Sequence, residues 1–207
     1  MSINEHWNNA YTKTEKSKLG WFETEATPTL KLIEKLNLKK DVAILNVGAG
    51  TSTLVADLLK KGFTNIIVND ISNSAIELLK AELKSKKDLV KFVEDDLANP
   101  TLLNDLEIID LWNDRAVLHF LTEQKDVETY FNLLKSKLKV GGYAILAEFD
   151  LEGAEKCCGL FVRRYNAEML QNELGNDFDL IEKFNYDFIN PNGDTRKYIY
   201  TLFKRMK

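Results

Sequence analysis

The sequence predicts an α/β fold: a mixed, mostly parallel sheet of seven strands with helices on both faces and an antiparallel hairpin at its C-terminal end. Two observations predict it. From Val42 onward, short apolar runs alternate with amphipathic stretches of helical length, the signature of strands joined by crossover helices. Such units make a parallel sheet with right-handed crossovers and cover both of its faces. Near the end, two long alternating segments, Phe178 to Ile189 and Lys197 to Phe203, flank Asn190-Pro191-Asn192-Gly193-Asp194, which reads as a hairpin.

The elements follow in order. The first 40 residues set Trp7, Tyr11, Trp21 and Phe22 among polar residues and then suggest a helix from Thr29 to Leu38, with Leu30, Ile33 and Leu36 inward. Val42 to Val47 is a buried strand, followed by Gly48-Ala49-Gly50 and a helix that carries Leu54, Val55, Leu58 and Leu59 on one face and stops near Gly62. A second strand, Asn65 to Val68, ends at Asn69-Asp70. The next helix begins around residues 72 to 74, where Ser74 and Glu77 fit a capping box. Val90 to Val93 and Ile108 to Trp112 are strands three and four. The spacing of Val127, Tyr130, Phe131, Leu134 and Leu138 predicts a helix up to Gly141-Gly142. Tyr143 to Phe149 is strand five, and a helix from Ala167 to Leu174 precedes the hairpin.

Composition narrows the function. A chain of 207 residues, 44% hydrophobic and 29% charged, suits a single self-supporting domain and excludes disordered, collagen-like and coiled-coil classes. Lys and Arg number 28 against 32 Asp and Glu, a net charge of −4, which gives no basic field for nucleic acid. Residues 2 to 10 lack the basic and apolar parts of a signal peptide, and no apolar run approaches the ~18 residues of a membrane span. The two cysteines, Cys157 and Cys158, are adjacent, so neither a disulfide framework nor a spaced zinc site is expected. A cytoplasmic protein with no metal, nucleic-acid or membrane partner is the expectation.

In a parallel sheet of this kind, ligands sit beyond the carboxyl ends of the strands. The glycines at 48 and 50 allow close backbone approach at a strand-to-helix turn. Asp70 follows Gly50 by 20 residues at the end of strand two, where a carboxylate accepts both hydroxyls of a ribose. After strand three, Glu94-Asp95-Asp96-Leu97 places carboxylates and an apolar side chain where an adenine would lie. A nucleoside-containing cofactor follows. A dinucleotide fingerprint would need glycine at position 53, where Thr53 stands, so NAD is the minor reading.

These residues resemble the class I S-adenosylmethionine-dependent methyltransferases. Leu45-Asn46-Val47-Gly48-Ala49-Gly50 looks like their first motif, Asp70 like their ribose-binding acid, Glu94 to Leu97 like their adenine-binding motif, and the closing hairpin like their reversed seventh strand. A bacterial branch is more similar still. Its tract DLWHDRAVFHFLT resembles Asp110 to Thr122 here, its tract KCSGLPVxRY resembles Lys156 to Tyr165, and the segment around Trp7, Tyr11 and Gly20-Trp21-Phe22-Glu23 looks like one that folds over the cofactor. The resemblance implies a Rossmann-like domain spanning residues 1–207, with an arm and helix (1–40) covering the cofactor and a core (41–207). It implies S-adenosylmethionine as cofactor, with Tyr11, Trp21, Asn46, Gly48, Gly50, Asp70, Ile71, Asp96, Leu97 and Asn113 as its contacts. Asn46 stands where the family has an acid, Asn113 where the branch has histidine, and Cys158 where it has serine.

A sulfonium methyl is already activated, so transfer needs chiefly alignment, exclusion of water and an unprotonated acceptor. Asp114, expected at the mouth of the site after strand four, is the candidate base or amine-orienting group. Arg115 is expected either to clamp a substrate carboxylate or to pair with Asp110 or Asp114. His119 reads as a packed histidine. The acceptor is expected to be a lysine, thiol or carboxylate of a small molecule or protein side chain, since no Asn-Pro-Pro-Tyr follows strand four. A cofactor-binding scaffold without catalysis and an NAD-dependent oxidoreductase are the alternatives.

Overall fold

A computed structural model describes residues 1–207. Its seven-stranded sheet has the order β3-β2-β1-β4-β5-β9-β8, in which β1 (Ile44–Val47), β2 (Ile66–Asp70), β3 (Val90–Glu94), β4 (Ile109–Arg115) and β5 (Leu138–Phe149) run parallel. β8 (Phe178–Ile189) and β9 (Thr195–Arg205) form the antiparallel hairpin, with β9 against β5. The strand order reverses between β1 and β4, and the crevice at their carboxyl ends is the place where such sheets hold ligands.

Helices cover both faces because the inner strands are apolar on both. Ile44, Leu111 and Ile145 point toward α2 (Thr27–Lys35) and α3 (Thr53–Lys60), where Leu32, Leu54 and Leu58 close the core. Leu45, Trp112 and Leu146 point the opposite way, against Tyr130 and Phe131 of α5 (Gln124–Lys137) and Leu170 of α6 (Ala167–Leu174). An alternation of period two therefore assigns each β4 side chain to a layer. α4 (Asn73–Leu83) joins the first layer through Leu79 and Leu83.

Several boundaries differ from the sequence reading. Strand four continues through Arg115, because Asn113, Asp114 and Arg115 keep their pairing with Ile145, Leu146 and Ala147 of β5. β5 begins at Leu138, ahead of Gly141-Gly142, and the register to β4 shifts at this point. The cap of α4 is Ser72, whose hydroxyl accepts the Ala75 amide, while Glu77 pairs with Lys80 on the surface. α2 starts at Thr27, with Pro28 in its first turn, where the missing N–H costs nothing. Two elements went unforeseen: α1 (Ile3–Lys13), opened by a Ser2–Glu5 capping box, and a small hairpin of β6 (Lys156–Cys157) and β7 (Leu160–Phe161). No helix is long and apolar enough to cross a membrane.

Candidate active site

The turn after β1 bends twice through left-handed backbone, at Gly48 (φ +49°) and Gly50 (φ +53°). Space, as well as conformation, demands glycine there. A Cβ at 48 would overlap Val117, and one at 50 would overlap the hydroxyl of Tyr11. The turn is held by Asp70, whose Oδ2 accepts the Gly50 amide (2.7 Å) and whose Oδ1 accepts the Ser72 amide (2.8 Å). Each oxygen keeps a lone pair for a further donor. Burial raises the Asp70 carboxyl to about 6, against these amide bonds, so at neutral pH it is mostly ionised.

Above these carboxyl ends lies a pocket of about 250 Å³. Asp70, Ile71, Asp96 and Leu97 line one side, Ala116, Val117, Phe120 and Leu121 another, and Trp7, Tyr11 and Trp21 form its roof. The roof aromatics meet edge to face, Trp7 to Trp21 at 5.6 Å, Tyr11 to Trp21 at 5.7 Å and Trp7 to Phe120 at 4.8 Å, a geometry the ring quadrupoles favour. Cys157 lies in the wall, its thiol pushed up by burial to about 11, so it is protonated. Of the acids after strand three, Asp95 is committed to folding its own loop, accepting from the Thr101 amide and hydroxyl and from the Leu103 amide. Asp96 accepts only the Ala98 amide on Oδ1 and keeps its other oxygen.

A smaller chamber of about 50 Å³ shares Trp21, Gly48 and Arg115 with this pocket and extends toward Asn46, Asn113, Thr53 and Glu23. Asn46 and Asn113, neighbours on β1 and β4, are joined by a bond from Asn113 Nδ2 to Asn46 Oδ1 (2.6 Å). Arg115 crosses the sheet between the rings of Phe188 and Tyr198, at 5.0 and 5.2 Å. Its Nη1 donates to the Trp21 carbonyl (3.2 Å), and Nη2 lies 3.2 Å from Glu23 Oε2. That ion pair is close without being aligned as a hydrogen bond, and Arg115 Nε and Nη2 remain without acceptors. The chamber also holds the unpartnered Trp21 Nε1, Thr53 Oγ1 and Asn113 Oδ1. Buried polar atoms without partners are rare in folded proteins, and five from four residues converge here.

The expected contacts Tyr11, Trp21, Gly48, Asp70, Ile71, Asp96 and Leu97 line the larger pocket, Asn46 and Asn113 the smaller, and Arg115, expected to act on the substrate, lines both. Gly50 contacts neither; it anchors the turn between Asp70 and Tyr11. Two expectations are corrected. Asp114 is absent from the mouth of the site: because β4 runs on through Arg115, Asp114 follows Trp112 onto the α5 side and is fully buried there. Arg115 pairs with neither Asp110 nor Asp114, since Asp110 is taken by Lys139 and the Ala43 amide. His119 is packed, as expected, and burial holds it neutral by lowering its pKa to about 3. Sequence reasoning left Glu23 and Thr53 without roles in the site. Glu23 carried a signal, since it closes the Gly20-Trp21-Phe22-Glu23 tract; Thr53 carried none.

The sheet order, the glycine turn and the acid at the end of β2 together define a methyltransferase of the class I architecture, and the chain belongs to the family described as "Methyltransferase domain", whose model matches residues 38–203. Among its relatives is EEF1A lysine methyltransferase 2 of Homo sapiens, 27% identical over 197 residues that cover 88% of this chain and 77% of the human protein. Among solved structures, an S-adenosylmethionine-dependent methyltransferase from Anabaena variabilis is 16% identical with a TM-score of 0.78, covering 99% of this chain and 96% of that one. The N-methyltransferase NodS from Bradyrhizobium japonicum, in complex with S-adenosyl-L-homocysteine, is 15% identical with a TM-score of 0.68, covering 96% and 100%.

Proposed function

We propose that this chain is an S-adenosylmethionine-dependent methyltransferase whose acceptor is a lysine amine on a protein. One observation carries the cofactor: an apolar pocket with the Asp70 carboxylate at its edge adjoins, across Trp21, Gly48 and Arg115, a chamber whose unpaired donors and acceptor suit a zwitterionic amino-acid head. The Arg115 guanidinium, Trp21 Nε1 and Thr53 hydroxyl would receive the carboxylate, and Glu23 and Asn113 Oδ1 the ammonium. A dinucleotide has no such head group. Asp70 would hold the ribose, and Asp96 and Leu97 the adenine.

When bound, the cofactor would supply an activated methyl whose carbon an acceptor lone pair attacks in line, with the sulfur leaving as the neutral thioether of S-adenosylhomocysteine. The chain's own contribution is to align, dry and neutralise. Trp7, Trp21 and Phe120 shield the larger pocket from water, and these apolar walls favour the neutral amine over the ammonium ion. No carboxylate is required as a base, in keeping with the burial of Asp114 away from the pocket. A protein lysine is supported by the human relative, named a lysine methyltransferase. The match to the bacterial branch in residues 110–122 and 156–165 belongs to this reading as well.

Calorimetric titration with S-adenosylmethionine, S-adenosylhomocysteine and NAD tests it. The first two should bind, and Asp70→Ala should weaken them more than about tenfold. Label from isotopic methyl donor should enter the macromolecular fraction of a cell extract, on lysine. Binding of NAD alone, or label only in small molecules, would defeat the cofactor or the acceptor assignment respectively.

A further inference from the structure

Behind the wall formed by Ala116 to Leu121 lies a cluster of ionisable side chains that touches neither compartment. Asp114 on β4 and Glu148 on β5 both point toward α5, and both are fully buried. Asp114 accepts three donors: the Val117 amide (3.0 Å) on Oδ1, and the Leu118 amide (3.1 Å) and Tyr130 hydroxyl (2.7 Å) on Oδ2. Glu148 Oε2 accepts the His119 amide (3.2 Å) and lies 3.0 Å from His119 Nδ1. Its Oε1 has no donor, and its carboxyl is within hydrogen-bonding reach of Asp114. Two carboxylates bond to each other only through a proton. One proton therefore lies between the two carboxyls, and their contact pushes Asp114 up and Glu148 down.

The wall depends on these bonds. Val117 is the side chain that fills the space over Gly48, and its own amide is one that Asp114 holds. Ala116, beside it, sits at φ +67°, a conformation costing a non-glycine residue about 1 kcal/mol, which persists only where its surroundings impose it.

We propose that Asp114 and Glu148 are positioning residues that share one proton, and that the singly charged pair holds the Ala116–Leu121 wall against Gly48, so that loss of the proton releases the wall and weakens cofactor binding. The other groups facing the pair are neutral His119 from the wall segment, Tyr130 from α5, Tyr165 after β7, Tyr198 from β9 and Arg115 from the opposite face of β4. Arg115 is the only cation among them, already engaged by Glu23, so a second negative charge would go uncompensated. Burial accordingly raises both carboxyls, Glu148 to about 8. The inference rests on the proposed cofactor only for what the wall binds.

Amide hydrogen exchange tests the pair without any ligand. Between pH ~7 and ~9, protection of the Val117 and Leu118 amides, corrected for intrinsic exchange, should fall at least about tenfold in the wild type and stay level in Glu148→Gln, whose amide does not titrate. Calorimetric affinity for S-adenosylhomocysteine should weaken over the same range in the wild type alone. Equal exchange profiles in the two proteins would overturn the proposal. Should the variant fail to fold, carbon-13 spectra of the wild-type carboxyls decide: one Glu titrating above pH ~7 is expected, and every Glu titrating below pH ~6 would overturn it. Absence of cofactor binding at every pH would remove the proposed function and leave the exchange result to judge the pair.

Discussion

At the scale of single residues, the site is built on positions where one atom more would not fit. Gly50 occupies left-handed backbone with the Tyr11 hydroxyl where a Cβ would go, and that ring also roofs the larger pocket. Gly50→Ala therefore faces two costs, a backbone cost of about 1 kcal/mol and a steric clash with a buried ring. The double variant Gly50→Ala/Tyr11→Phe removes the clashing oxygen and keeps the backbone cost. Thermal unfolding should show the single variant destabilised and the double variant recovering part of the loss; no recovery would mean that the clash is relieved elsewhere. The same scale explains the misplacement of Asp114. A strand sends successive side chains to opposite faces, so extending β4 by three residues moved the expected base from the site to the far side of the sheet and left Asn113 and Arg115 facing it.

At the scale of elements, α1 completes the site from outside the sheet. It docks on the β2–α4 turn through Asn8, whose Oδ1 accepts the Ser72 hydroxyl (2.8 Å) and the Ser74 amide (3.0 Å), and through Asn4, which donates to the Ile71 carbonyl. The turn it clasps is the one that presents Asp70, so the roof and the ribose acid are positioned together. Asn8→Ala should leave the sheet intact, loosen α1 and lower affinity for S-adenosylhomocysteine several-fold, with greater cleavage of residues 1–20 in limited proteolysis; unchanged affinity and proteolysis would show that the aromatic contacts alone hold the helix. How far the elements were legible follows the strength of their periodicity. The helix at 167–174 and the strand at 178–189 coincide with the sequence reading because Asn166 caps the one and strict alternation marks the other. α1 was not legible, since its buried side is made by Tyr11 and the half-buried Trp7 over another part of the chain, with no apolar stripe of its own. The start of β5 was obscured by Gly141-Gly142, which reads as a stop although Leu138 already pairs with Ile109. Of the site, the glycine turn, Asp70 and the acids after β3 were readable because they are sequential; of the chamber, Asn46, Asn113 and Arg115 were named, but its closure by Glu23 and Thr53 was not legible, because these residues meet the others only through tertiary folding.

At the scale of the whole molecule, the buried ionisable groups set how stability depends on pH. His119 is held at about 3 and Glu148 at about 8, both displaced chiefly by burial, and the displacements act in opposite directions. From pH ~3 to ~6.5 the unfolded chain binds more protons at position 119 than the native one, so this group makes stability rise with pH. Between 4.5, the ordinary value, and about 8, native Glu148 binds the extra proton, so it makes stability fall as pH rises, with the full loss reached above its native value. The two slopes oppose each other where the windows overlap, and above pH ~6.5 the glutamate acts without its opponent. Replacing Glu148 with Gln removes that contribution, while Asp70 and the titrating groups away from the pair largely cancel in the difference between the two proteins. Denaturant unfolding across pH ~5 to ~9 should therefore show Glu148→Gln gaining on the wild type as pH rises, by a few kcal/mol in all, and then running parallel to it. A difference that stays constant with pH would mean that Glu148 is ionised throughout, and the buried pair would then carry two charges that this fold has no cation to balance.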